Sequence, residues 1–107
     1  MNYKIEKEVK KLSKRYKSLK QDLTILAAEL MQNPDMGTDL GNGLHKVRMS
    51  IASKGKGKRG GARVITLIAT LSKEEKEIGL HFIYDKSERE NITDKELQAV
   101  LKDNGII

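Results

Sequence analysis

The stretch "LHKVRMSIASKGKGKRGGARVITLIAT", residues 44–70, decides how this chain folds. In its first part, 44–53, an extended backbone puts Val47, Met49 and Ile51 on one face and Lys46, Arg48 and Ser50 on the other. Its last part, "RVITLIAT" at 63–70, is β-branched and apolar on both faces, as a central strand is. Between them, "SKGKGKRGGAR" at 53–63 holds five cations, four glycines and no acid. Basic flexible strings are usually solvated tails. This one lies mid-chain with a strand on each side, so it reads as a positively charged loop joining two antiparallel strands.

Outward from that loop the other elements follow. "SKEEKE" at 72–77 is a charged turn and "IGLHFIYD" at 78–85 a third strand; short connections make an antiparallel meander the simplest pairing. Upstream, "DMGTDLGNG" at 35–43 reads as a turn-rich loop. Before it, Ile5, Val9, Leu12, Tyr16, Leu19, Leu23, Leu26 and Leu30 recur at helical spacing as one apolar stripe. Ser18-Leu19-Lys20-Gln21 has the pattern of a capping box, which places a break near Lys17 and folds the stripe into an antiparallel hairpin. One continuous helix is the alternative. The second helix stops at Asn33-Pro34. Downstream, Thr93-Asp94-Lys95-Glu96 is a second capping box, opening a short helix with Leu97, Val100 and Leu101 inward. The expected class is α+β: an N-terminal helix hairpin packed on a small antiparallel sheet of three or four strands, with a short C-terminal helix. Residues 1–107 read as a single domain without repeats.

Composition narrows the chemistry. A chain of 107 residues supports one modest core, here mostly Leu, Ile, Val and Met because aromatics are few. The absence of Cys excludes disulfides, thiolate metal sites and Cys nucleophiles. No apolar run is long enough to span a membrane, and "MNYKIEKEVKK" lacks the apolar stretch of a signal peptide. A cytoplasmic protein with no membrane partner is expected, for which the glycosylation pattern Asn91-Ile92-Thr93 has no meaning. The net charge of +6 is unevenly spread: residues 1–20 carry eight cations and two acids, 21–43 four acids and no cation, 44–63 seven cations and no acid. Concentrated positive blocks fit a polyanion, nucleic acid first, although a solvated charged face has the same composition.

Most catalytic motifs fail on context. Gly55-Lys56-Gly57-Lys58-Arg59-Gly60 has the spacing G-x-G-x-x-G, but a strand follows it where a dinucleotide site needs a helix. It is no P-loop, because Gly61 stands where Lys is required. Two His and no Cys make a metal site unexpected, and no small-molecule cofactor is expected. His45 and His81 suit acid/base cleavage of RNA as a pair, yet His45 shares the face of Val47 and Met49 and so points to the core. The cations carry more. Lys46 and Arg48 share one strand face, Arg63 returns beside them, Lys86 follows the third strand, and Tyr84 precedes it by two. Paired as a meander, these side chains converge on one sheet face, where cations bind phosphates and stabilise a phosphorane. An ordinary solvent-facing sheet protected by Lys and Arg is the plain alternative.

At these residues the chain resembles a known family. "NGLHKVRMSIASKGKGKRGGARVITLIAT", 42–70, with "LHFIYDKSERENITDKEL", 80–97, is similar to the RelE/ParE superfamily of bacterial toxin–antitoxin toxins, nearest its RelE/HigB-like branch. The resemblance implies an α+β toxin, neutralised by a cognate antitoxin protein, that cuts mRNA in the ribosomal A site. The family's strand cations fall on Lys46 and Arg48, its next-strand Arg on Arg63, and its basic residue after the last strand on Lys86. Lys46 would then serve as base or electrostatic activator, Arg48 and Arg63 would hold the phosphate, and Lys86 would assist the leaving group. A Tyr used near the C-terminus of relatives has no counterpart here, which leaves Tyr84 as the candidate for stacking on a base. Lys54, Lys56, Lys58 and Arg59 would grip ribosomal RNA. Relatives usually begin with a β-strand, whereas only "MNYK" precedes the helical stripe, and they often have Pro where Lys17 stands. A ParE-like gyrase inhibitor and a non-catalytic RNA-binding module are the competing expectations.

Overall fold

The computed structural model describes residues 3–105. The apolar stripe forms two helices, α1 (Tyr3–Arg15) and α2 (Leu19–Gln32). Ile5, Val9 and Leu12 from the first, and Leu19, Leu23, Leu26 and Leu30 from the second, are all buried. The break falls where expected, with Tyr16 N–H closing the ladder of α1 on Leu12 O at 2.8 Å. The expected capping box does not form: the backbone of Ser18 is already helical and its side chain does not cap. Instead Ser18 Oγ donates to the buried Asp22 carboxylate at 2.7 Å and accepts the Ser53 N–H at 2.8 Å. A tertiary tie to the basic loop has taken the hydroxyl that a local cap would use. Helix α2 ends at Gln32, one residue ahead of Asn33-Pro34, with the Asn33 N–H on Glu29 O.

Four strands form one sheet in the order β1-β2-β3-β4, each neighbour antiparallel: β1 Thr38–Gly41, β2 Leu44–Met49, β3 Ala62–Thr70 and β4 Lys76–Asp85. Strand β1 corrects the reading of 35–43 as loop. Asn42 and Gly43, with φ of 55° and 84°, make a two-residue hairpin turn between Gly41 and Leu44. Both positions of that turn need positive φ, which Asn-Gly supplies at least cost. Gly43 is also fixed by space, since a Cβ there would sit 2.6 Å from Ile68 O. Strand β2 is shorter than the sequence reading: residues 52–54 turn as one 3-10 unit, though Ile51 remains buried. Strand β4 begins earlier, inside the charged turn. Ile65 pairs with Phe82 but Thr66 with Leu80, so His81 is the extra residue of a β-bulge.

Helices cover both faces unequally. The α1–α2 hairpin packs on Val47, Met49, Val64 and Ile83. Helix α3 (Asp94–Asp103) lies on the other face, where Val100 and Leu101 join Leu44, Ile65, Leu67 and Tyr84 in a second apolar cluster. Its capping box forms as expected, with Glu96 N–H on Thr93 Oγ1 at 3.1 Å and Thr93 N–H on Glu96 Oε1 at 2.9 Å. Along β2 on this face, Leu44 is buried, Lys46 half-buried and Arg48 exposed. The face is thus divided: apolar under α3 at one end, cationic and open at the other. Among the described residues no helix is long and apolar enough to cross a membrane.

Candidate active site

Strand register assembles the cations. Arg48 lies opposite Arg63, and Arg63 opposite Tyr84; two pairs along, Lys46 lies opposite Ile65. Side chains two residues apart share a face, so Lys46, Arg48 and Arg63 project together from the open end of the sheet. They line a cavity of about 370 Å³ with Thr38, Arg59, Lys86 and Glu90. Five of the sequence-derived candidates therefore meet: Lys46, Arg48, Arg63 and Lys86 of the expected catalytic set, and Arg59 of the residues expected to grip RNA.

The basic loop is tied down at both ends. At its far end Lys86 N–H donates to Gly61 O at 3.0 Å. Gly61 runs so close to β2 that a Cβ would meet Met49 O at 2.1 Å. Arg63 holds the middle: Nη1 donates to Lys58 O at 2.8 Å and to Ala62 O at 3.1 Å, and Nη2 to Arg59 O at 3.1 Å. Its guanidinium is buried, and burial first, then the neighbouring Arg48, push its pKa below the ordinary arginine value. Sequence assigned Arg63 to phosphate. The structure makes it first the clamp that folds the loop's carbonyls inward and keeps Arg59 at the cavity, whereas Arg48 beside it faces solvent.

The remaining candidates separate. Lys54 turns away from the cavity and is half-buried: its Nζ donates to Asp85 at 2.7 Å and to Ser87 Oγ at 2.9 Å. Asp85, fully buried, also accepts from Tyr16 Oη at 2.5 Å and from Ser87 N–H at 2.9 Å. Burial alone would raise the pKa of Asp85, but the hydrogen bonds from Lys54, Tyr16 and Ser87 outweigh it and hold the carboxyl well below its usual range. Lys56 is exposed, and Lys58 lies 3.7 Å from Glu29 on the hairpin side. Tyr84 sits in the apolar cluster, only 4% exposed, with burial pushing its pKa up. Its ring is roofed by Arg89, whose guanidinium carbon lies 5.3 Å from the Tyr84 centroid and 5.6 Å from that of Phe82. Arg89 is in turn paired with Glu96. Stacking of Tyr84 on a base is therefore blocked in this conformation. His45 is buried on the helix-covered side, and His81 lines a different cavity beside Asn104. Neither histidine lines the cation cavity.

Two residues near the site carried no sequence signal. Asn91 Oδ1 accepts from Lys46 Nζ at 3.1 Å, and Glu90 O accepts from Lys86 Nζ at 3.0 Å. Both belong to the loop between β4 and α3, whose path only the folded chain reveals. Among the described residues no group of His, Cys, Asp and Glu is placed to hold a metal ion. A concave, cation-lined surface of this kind binds phosphates by charge and by N–H donation. A family model described as the RelE toxin of the RelE/RelB toxin–antitoxin system matches residues 3–105. The chain belongs to the RelE toxin family.

Proposed function

We propose that this RelE-family toxin is an endoribonuclease that cuts mRNA in the A site of the ribosome. The observation that carries the reading is the convergence of Lys46, Arg48, Arg59, Arg63 and Lys86 on one open cavity. The 2′-OH of a ribonucleotide attacks the adjacent phosphate, leaving a cyclic phosphate and a free 5′-OH. As the phosphorane forms, negative charge builds on its oxygens, and donors fixed in advance around it lower the barrier. Arg48 and Arg63 hold that charge, Lys46 activates the attacking side, and Lys86 supplies the proton for the leaving oxygen. Lys56, Lys58 and Arg59 on the loop grip ribosomal RNA; Lys54, bound to Asp85, contributes to the loop's fold instead. The ribosome positions the RNA, which substitutes for a more elaborate set of acid and base groups. The antitoxin partner neutralises the toxin by covering the cavity or filling it with acidic side chains.

Primer extension on a defined mRNA tests this, with purified translating ribosomes and the protein added or withheld. New 5′ ends within the A-site codon, absent when ribosomes are omitted, are expected. Intact mRNA in cells whose growth the protein arrests, accompanied by DNA breaks, would replace this reading with a gyrase target.

A further inference from the structure

We propose that Glu90 is the proton acceptor of this site, taking the proton from the attacking 2′-OH; the assignment rests on the cavity being an RNA-cleaving one. The reaction begins by removing a proton, and Lys and Arg ordinarily carry theirs at neutral pH and so donate. Five of the residues lining the cavity are of that kind, and Glu90 is the carboxylate among the lining residues. Three other titratable acceptors among the described residues are placed elsewhere. His45 is buried against the helices, His81 lines another cavity, and Asp85 is saturated by Lys54, Tyr16 and Ser87.

The setting of Glu90 combines a fixed backbone with an uncommitted carboxylate. Its carbonyl is held by Lys86 Nζ at 3.0 Å. The next carbonyl, Asn91 O, takes Arg89 Nε and Nη2 at 3.1 and 3.0 Å, while Asn91 Oδ1 takes Lys46 Nζ at 3.1 Å. Arg89 is anchored in turn on Glu96 of α3. Residues 89–91 are thereby tied to β2, to the end of β4 and to α3. Yet the Glu90 side chain is exposed and makes no ion pair with any described residue. A carboxylate free among five cations leaves room for a substrate between the charges. As the 2′ oxygen bonds to phosphorus, its proton passes to Glu90. The bond from phosphorus to the 5′ oxygen breaks, its electron pair stays on that oxygen, and the Lys86 ammonium protonates it. The products are a 2′,3′-cyclic phosphate and a 5′-OH; Glu90 then releases its proton to water and Lys86 regains one.

Glu90→Gln gives opposite effects on binding and on rate. Losing a negative charge from a cationic cavity tightens the grip on RNA, while losing the acceptor slows cleavage. Single-turnover rates on mRNA-programmed ribosomes, with Kd measured for the same complexes, separate the two. The expected result for Glu90→Gln is a rate about 10²–10⁴-fold lower with an unchanged or tighter Kd. Glu90→Asp should recover part of the rate. A Glu90→Gln rate within threefold of wild type, or a slow variant whose loss is matched by a weaker Kd, overturns the assignment alone. Ribosomes whose mRNA the wild-type chain leaves uncut overturn the functional reading, and this assignment with it.

Discussion

Asp85 ties three parts of the fold together through one buried carboxylate. It is fully buried and binds Lys54, whose side chain is 9% exposed, together with Tyr16 and Ser87. It thereby joins the end of α1, the turn opening the basic loop and the end of β4. Asp85→Ala leaves the Lys54 ammonium buried without a counter-charge, and breaking such a pair costs about 3–5 kcal/mol. Domains of this size have a total stability of about 5–15 kcal/mol. At about 4 °C per kcal/mol, the melting temperature should fall by about 12–20 °C. Thermal unfolding followed by circular dichroism, with urea titration for the free energy, measures this. Glu88→Ala is the control: its partner Arg15 is more than half exposed, and exposed pairs contribute about 0–1 kcal/mol. Lys54→Met combined with Asp85→Asn should recover part of the loss, because the second orphaned charge is removed with the first. The pH dependence has a definite sign. The folded-state pKa of Asp85 is depressed, so its contribution is complete above the unfolded value of about 3.9 and is lost as pH falls below it. Acidification from pH 5 to pH 2 should therefore lower the wild-type melting temperature more than that of Asp85→Asn. A drop of less than about 4 °C for Asp85→Ala would refute the reasoning.

Glu96 offers a second acid-sensitive group: hydrogen bonds from Arg89 first, then from Thr93, overcome partial burial and bring its pKa to about 2. Glu96→Ala should cost about 1–2 kcal/mol through the lost cap and ion pair; the wild-type contribution should fade between about pH 4.3 and the folded value, as urea unfolding at pH 5 and pH 3 would show. Gly61→Ala forces a Cβ against Met49 O and should destabilise by about 1–3 kcal/mol, read from its melting temperature; a neutral effect would mean that the loop and β2 do not approach so closely. Arg63→Ala removes the donors that fold the carbonyls of Lys58 and Arg59 inward, so trypsin should cut within 54–59 at least about tenfold faster at the rate expected for a loop opening worth more than about 1.4 kcal/mol. Unchanged digestion would show that the clamp is not what orders the loop.

The sequence makes the helices and the central strands legible because their patterns are long. Seven apolar side chains at helical spacing, all buried, leave little freedom for α1 and α2, and the alternation of Val47 and Met49 with Lys46 and Arg48 sets which face of β2 meets them. Strand β1 was hidden because Thr-Asp-Leu-Gly is short, lies at an edge and shows no apolar alternation; the Asn42-Gly43 pair was its available mark. Ser18 and Thr93 carry the same local motif, yet only Thr93 caps, because Ser18 has Asp22 and Ser53 as partners that local sequence does not reveal. The same holds at the site. Strand register follows from alternation and brought Lys46, Arg48 and Arg63 together. Lys54 looks like its basic neighbours until the fold places Asp85 beside it, and Tyr84 looks available until Arg89 and α3 cover it. Glu90 reaches the cavity through an irregular loop that periodicity does not address.

The cavity's part in cleavage is tested most directly by Lys46→Ala combined with Arg48→Ala. Both side chains are at least partly solvent-facing, so the fold should survive, which the melting temperature would verify. Wild-type and double variant are compared on the same mRNA in translating ribosomes, with new 5′ ends mapped by primer extension. Cuts in the A-site codon from the wild-type chain and none from the folded double variant are expected. Equal cutting by both would show that the RNA is cleaved somewhere other than this cavity.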